Sequence, residues 1–153
     1  MWGRPRDVLA RDQRGPIRLV SAFVEHLRSR SDATILTVSS GLAFNPPRAT
    51  PSYNTSKAAI HMLSESIRLQ LADMSVRVVE LEPPSVATDL FPGQRESANA
   101  MPLNEFIAEA VGILPSEPDP TEIQVERVKF LRYGEARGDY DLVDPAINAT
   151  DTH

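Results

Sequence analysis

Apolar residues recur along this chain in stretches whose spacing changes from one segment to the next. Ile17, Val20, Phe23, Val24 and Leu27 share one stripe at helical spacing, with Pro16 suited to a first turn and Arg28 and Arg30 to a last, so residues 16–30 are expected to form an amphipathic helix. After Ser31 and Asp32, the run Ala33 to Val38 (ATILTV) is short, β-branched and uninterrupted, the pattern of a strand buried on both faces. It ends at Ser39-Ser40-Gly41. Beyond a loop holding Pro46 and Pro47, the spacing of Ala59, Leu63, Ile67 and Leu71 predicts a longer helix from about Ser52 to Asp73. Residues 76–82 (VRVVELE) predict a second strand. The pattern then loosens into a loop (92–102), a helix from Leu103 to Leu114, a Pro-rich link (115–120), a strand-like run from Glu122 to Val128, and a tail without a clear period.

Strand, helix and strand in that order make a βαβ unit, which implies an α/β fold with a parallel sheet and a right-handed crossover. The 13 prolines outnumber the 7 glycines and mark element ends, and no internal repeat is visible. Residues 1–15 stand apart as an atypical start, 16–147 as the folded domain and 148–153 as a disordered tail. A chain of 153 residues can bury one substantial core. With no cysteine it has neither disulfides nor thiolate metal ligands, so a reducing compartment is expected. The net charge of −5, with seven arginines in the first thirty residues and acids gathered after Tyr133, argues against a nucleic-acid partner. No apolar run approaches the roughly 18 residues of a membrane span, and no signal-peptide core follows Met1. A cytoplasmic location without membrane attachment follows as an expectation.

In open parallel sheets, ligands bind beyond the carboxyl ends of the strands. Ser39 and Ser40 close the first strand, and Thr88 and Asp89 follow the second. The intervening helix opens with Tyr53-Asn54-Thr55-Ser56-Lys57, where Tyr53 and Lys57 lie four apart and so share a face. A phenol is a poor base at neutral pH, and a neighbouring ammonium favours its anionic form. Tyr53 is thereby a candidate to give or take a proton, with Ser40 orienting a substrate oxygen. That chemistry suits carbonyl reduction or alcohol oxidation, with hydride from a cofactor because no side chain carries hydride.

These residues resemble the short-chain dehydrogenases/reductases: Val38-Ser39-Ser40, then Tyr53-x-x-x-Lys57 with Tyr53 thirteen residues after Ser40, then Pro83-Pro84-Ser85-Val86-Ala87-Thr88. The resemblance assigns substrate binding to Ser40, acid/base catalysis to Tyr53, and the nicotinamide ribose and tyrosine activation to Lys57. The segment carrying Pro83, Val86 and Thr88 would meet the nicotinamide, making the cofactor NAD or NADP and the substrate a small carbonyl or alcohol. Pro84 replaces the family's glycine. Together with the segments MPLNEFIAEAV and EIQVERVKFLR, this variant looks most like the DltE-like branch, over about residues 12–147. The implied fold is the C-terminal half of a Rossmann-like doubly wound parallel sheet, lacking the N-terminal dinucleotide-binding half: the chain contains no Gly-x-Gly. Two functions follow as alternatives, a hydride-transferring oxidoreductase in truncated form, or a cofactor-less remnant or interaction module.

Asp12, twenty-eight residues before Ser40, stands where the family usually has an asparagine that helps hold a proton-relay water, and is expected to lie away from the site. His26 and His61 have no carboxylate at metal-ligand spacing and are expected to serve surface or packing roles. Phe91, Met101, Phe106 and Ile107 border the segment where the family carries a substrate lid; core packing accounts for them equally well. The stripe at residues 17–27 and the 52–73 helix are expected either to cover the sheet or to dock a second copy. Two glycosylation sequons, at Asn54 and Asn148, carry no expected function without a secretory signal.

Overall fold

A computed structural model describes residues 10–116 and 119–148. Residues 1–9, most of the atypical start, and 149–153, most of the expected tail, lie outside them. The elements are α1 (Gly15–Arg28), preceded by a wide π-helical turn at Ala10–Arg14, β1 (Ala33–Val38), a 3-10 turn (Gly41–Ala43), α2 (Pro51–Gln70), β2 (Val76–Leu81), α3 (Leu103–Ser116), β3 (Glu122–Ile123), α4 (Glu126–Arg132), α5 (Gly134–Arg137) and α6 (Tyr140–Asn148). The strands form a parallel sheet in the order β1-β2-β3. Ala33 pairs with Val76 and Val38 with Leu81, so the carboxyl ends of β1 and β2 are level and present Ser39-Ser40 beside Glu82-Pro83.

β2 is the central strand and needs apolar residues on both faces. Val76 and Val78 pack with Ala33, Ile35, Ile67 and Leu71 beneath α1 and α2. Val79 packs on the opposite face with Met101, Ala110, Ile123, Val125 and Val128 beneath α3 and α4. β1 departs from the expectation of burial on both faces. Ala33, Ile35 and Thr37 are buried, but Leu36 is 54% and Val38 45% exposed. Among the described residues nothing covers that face and nothing pairs with the outer edge of β1.

The run from Glu122 to Val128 is a second correction. Only Glu122 and Ile123 extend the sheet, and the chain turns at Val125 into α4. Two apolar residues three apart, Val125 and Val128, are both fully buried, a helical spacing that the Val-rich composition masks. Glu126 at the start of α4 and Arg132 at its end also suit the helix dipole. α4 lies so close to the 3-10 turn that a Cβ at Gly41 would sit 2.7 Å from Val128 Cγ2 and 2.9 Å from Leu131 Cδ1. Glycine is therefore required by close approach. At the far end, Asn148 Oδ1 accepts from the Arg48 amide at 2.8 Å, tying α6 to the loop before α2. Among the described residues no helix is long and apolar enough to cross a membrane.

Candidate active site

Pro51 opens α2, a position where its missing N–H costs nothing, and Asn54 fastens the entry by donating to the Pro47 carbonyl at 2.9 Å. Tyr53 and Lys57 therefore lie in the first two turns, at the rim of β1. The Lys57 ammonium donates to the Val38 carbonyl at 3.0 Å and stands 5.5 Å from the Tyr53 ring centroid. Ser40 is buried and extended, and caps the 3-10 turn by accepting from the Leu42 amide at 3.2 Å. The Gly41 amide donates to the Pro83 carbonyl at 3.0 Å, which joins the Ser40 turn to the 83–88 segment. The structure thus brings Ser40, Tyr53, Lys57 and Pro83 to one rim.

Val86 is buried and bridges to Met101, while its carbonyl accepts from Gln94 Nε2 at 2.7 Å. Thr88 is half-buried on the same segment. Phe91 meets the Tyr53 ring edge to face, with centroids 5.2 Å apart. Of the residues considered for a lid, Phe91 thus faces the tyrosine, Met101 and Phe106 join the core beneath α3, and Ile107 is half exposed.

The electrostatics depart from simple activation of the tyrosine by the lysine. Burial pushes the Tyr53 phenol up, the hydrogen bond with Ser40 pulls it down, and Asp12 raises it further. Burial likewise lowers the Lys57 ammonium, with Asp12 opposing. Asp12 therefore acts on the site, contrary to the expectation that it lies away. The wide turn at Ala10–Arg14 packs against α2, and the largely buried Asp12 carboxylate pairs with Arg11 at 2.5 Å.

His61 is a further correction. It continues the Tyr53 and Lys57 stripe one turn further and meets carboxylates that sequence spacing on α2 does not show. Its Nδ1 lies 3.0 Å from Glu80 Oε2 and 4.0 Å from Glu82 Oε1, both of which come from the end of β2 and are fully buried. Glu122 on β3 pairs in register with Glu80 and bonds Arg132 at 3.1 Å. A signal was present in the sequence. Glu80 and Glu82 are two apart in a run otherwise made for burial, and acids on one face of a central strand need partners.

The profile of the short chain dehydrogenase family matches residues 5–99. The uncharacterized oxidoreductase DltE of Bacillus subtilis (strain 168) is 36% identical over 137 residues, 87% of this chain and 53% of that protein. An uncharacterized oxidoreductase of Staphylococcus epidermidis is 25% identical over 75% of this chain and 51% of its own length. Among solved structures, a short chain dehydrogenase from Burkholderia cenocepacia J2315 in complex with NADP superposes with a TM-score of 0.76 at 22% identity, over 91% of this chain and 59% of that one. A short-chain dehydrogenase from Streptomyces avermitilis gives 0.71 at 21% identity, over 96% of this chain and 63% of its own. The chain spans about half the length of the curated relatives it matches. The family profile matches more than half of the chain, and the chain belongs to the short-chain dehydrogenase family.

Proposed function

We propose that this chain carries the substrate-facing half of an NAD(P)-dependent oxidoreductase site, exchanging hydride with a small carbonyl compound or secondary alcohol. One observation carries the reading: the Ser40 turn, Tyr53 and Lys57 meet at the carboxyl end of β1, joined to the 83–88 segment by the Gly41 to Pro83 hydrogen bond. The residues suited to the nicotinamide end are present. Tyr53 and Lys57 would hold the ribose, and Pro83, Val86 and Thr88 the ring. When bound, the nicotinamide supplies or accepts the hydride. The chain's own residues do the rest. Ser40 orients the substrate oxygen, Tyr53 gives that oxygen a proton during reduction or takes it during oxidation, and Lys57 holds positive charge beside the phenol.

The pyrophosphate end is different, because no Gly-rich loop occurs in the chain. The exposed Leu36 and Val38 face and the edge of β1 left unpaired among the described residues favour a second reading, that the chain acts as an interaction module which docks further sheet from a partner chain. Self-association through residues 17–27 and α2 belongs to the first reading and is supported by exposed Leu19, Phe23, Met62 and Leu69. A cytoplasmic location fits both. The test is NADPH-dependent reduction of a panel of aldehydes and ketones by the purified chain. Turnover removed by Tyr53→Phe supports the oxidoreductase, and turnover unchanged by it excludes Tyr53 as the acid.

A further inference from the structure

Behind the Ser40 turn lies a buried polar cluster that the proposed hydride chemistry does not use. Glu80 near the end of β2 and Glu82 just past it share one face of the sheet, which Glu122, paired beside Glu80, and Gln124 extend. His61 reaches them from α2 and Arg132 from α4. Gln124 Nε2 donates to Glu82 at 2.9 Å and to Glu122 at 2.5 Å, and its carbonyl accepts from the Tyr133 hydroxyl at 2.7 Å. Arg132 lies 3.4 Å from Glu82 Oε1, an ion pair without a hydrogen bond, and 3.1 Å from Glu122.

Three carboxylates face two cations, so full ionisation of the acids leaves one surplus buried negative charge even with His61 protonated. Burial in low dielectric makes such a surplus expensive, and a proton removes it. The four groups His61, Glu80, Glu82 and Glu122 also present atoms within 4.8 Å of one another, as a metal site would. Arg132 already fills the cationic place among them, which favours proton balance over metal.

The cluster grips the catalytic turn from two sides. Phe44, which closes the 3-10 turn that Ser40 opens, lies edge to face on His61 at 4.6 Å, with the Arg132 guanidinium 4.2 Å above its ring. On the other side Glu82 directly precedes Pro83, whose carbonyl takes the Gly41 amide. We infer that His61, Glu82 and Arg132 are positioning residues forming a proton-linked brace, which holds the Ser40 turn in place while protonated and loosens it as the protons leave. Only the importance given to Ser40 rests on the oxidoreductase reading.

The charged and titratable groups around His61 are Glu80 and Glu82 from β2, Glu122 from β3 and Arg132 from α4, with Lys57 and Glu65 one turn away on α2 itself. The hydrogen bond to Glu80 raises the His61 value, and burial pushes Glu82 up to about 7. Both groups bind protons more tightly when folded, so both contribute stability that is full at low pH and is lost as pH rises. For Glu82 the loss runs from its ordinary 4.5 to about 7, and for His61 it runs above about 6.5 through its raised folded value.

The experiment measures thermal unfolding of the full chain across pH, with hydrogen exchange of the 40–45 segment at about pH 8, for wild type, Glu82→Gln and His61→Gln. Glu82→Gln, a neutral mimic of the protonated acid, is expected to flatten the fall in Tm with pH. It is also expected to slow exchange at Gly41–Phe44 severalfold, leaving the 103–114 segment unchanged. His61→Gln is expected to lower Tm near pH 6 and to change it little near pH 9. A wild-type pH slope retained in Glu82→Gln, a flattened slope without slower exchange, or an equal loss in His61→Gln at both pH values would each overturn the brace. So would a zinc-induced rise in Tm that Glu82→Gln abolishes. Neither readout uses turnover, so failure here and failure of the oxidoreductase reading are separable.

Discussion

Tyr53 is a half-buried phenol that the neighbouring Ser40 hydroxyl draws toward the anion, while desolvation and Asp12 oppose it more strongly. A phenol held above its ordinary value stays protonated at neutral pH, the state that the proposed proton donation to a carbonyl oxygen requires. Asp12→Asn removes a negative charge that raises both Tyr53 and Lys57. The expected outcome is a pH profile of turnover displaced to lower pH, with the alkaline limb moving most. An unmoved profile would show that Asp12 is screened from the site. Gly41→Val places a branched side chain against Val128 and Leu131, where the first carbon alone is already too close. Overpacking of this kind costs about 1–3 kcal/mol, readable as a lower midpoint in urea.

At the scale of elements, the segments that carry the site were legible because their signals are local. The β-branched run Ala33–Val38 matched β1 end to end, and the 3.6-residue period located α2 within three residues at either end. What was not legible depends on neighbours. β1 carries apolar residues on both faces, but among the described residues only the face toward α1 and α2 is covered, and composition alone does not say what lies opposite. The Glu122–Val128 run reads as one strand by composition, yet only Glu122 and Ile123 pair with β2 and the helix α4 begins at Glu126. The carboxylates around His61 come from two strands, which no spacing on α2 reveals. These packing assignments are testable by a pair of substitutions. Ile60→Ala, at a fully buried position on α2, is expected to cost about 2–5 kcal/mol, whereas Leu36→Ala on the exposed face of β1 is expected to stay within about 0.5 kcal/mol in the isolated chain. Comparable losses at the two positions would show that the Leu36 face is covered in solution.

As a whole molecule, the chain gathers the residues of the proposed nicotinamide end on one rim. The rim formed by Ser40, Tyr53, Lys57 and Pro83 is assembled and packed, with Phe91 against the tyrosine and α4 beneath the 3-10 turn. Beside it, β1 ends the sheet with a free edge among the described residues. The family's function needs both a nicotinamide end and a phosphate end, and the chain covers 53% of the DltE relative and 59% of the Burkholderia dehydrogenase. Binding energy for a dinucleotide is spread along its length, so under the proposed reading residues without a Gly-rich phosphate loop are expected to bind it weakly, through the nicotinamide end. The most direct measurement is fluorescence titration of the purified chain with NADPH and with NADH, wild type beside Lys57→Ala. Saturable binding in the millimolar range is expected, weakened about tenfold when the ammonium is removed, as loss of one charge-assisted hydrogen bond requires. No saturation at millimolar cofactor, or saturation indifferent to Lys57→Ala, would contradict it.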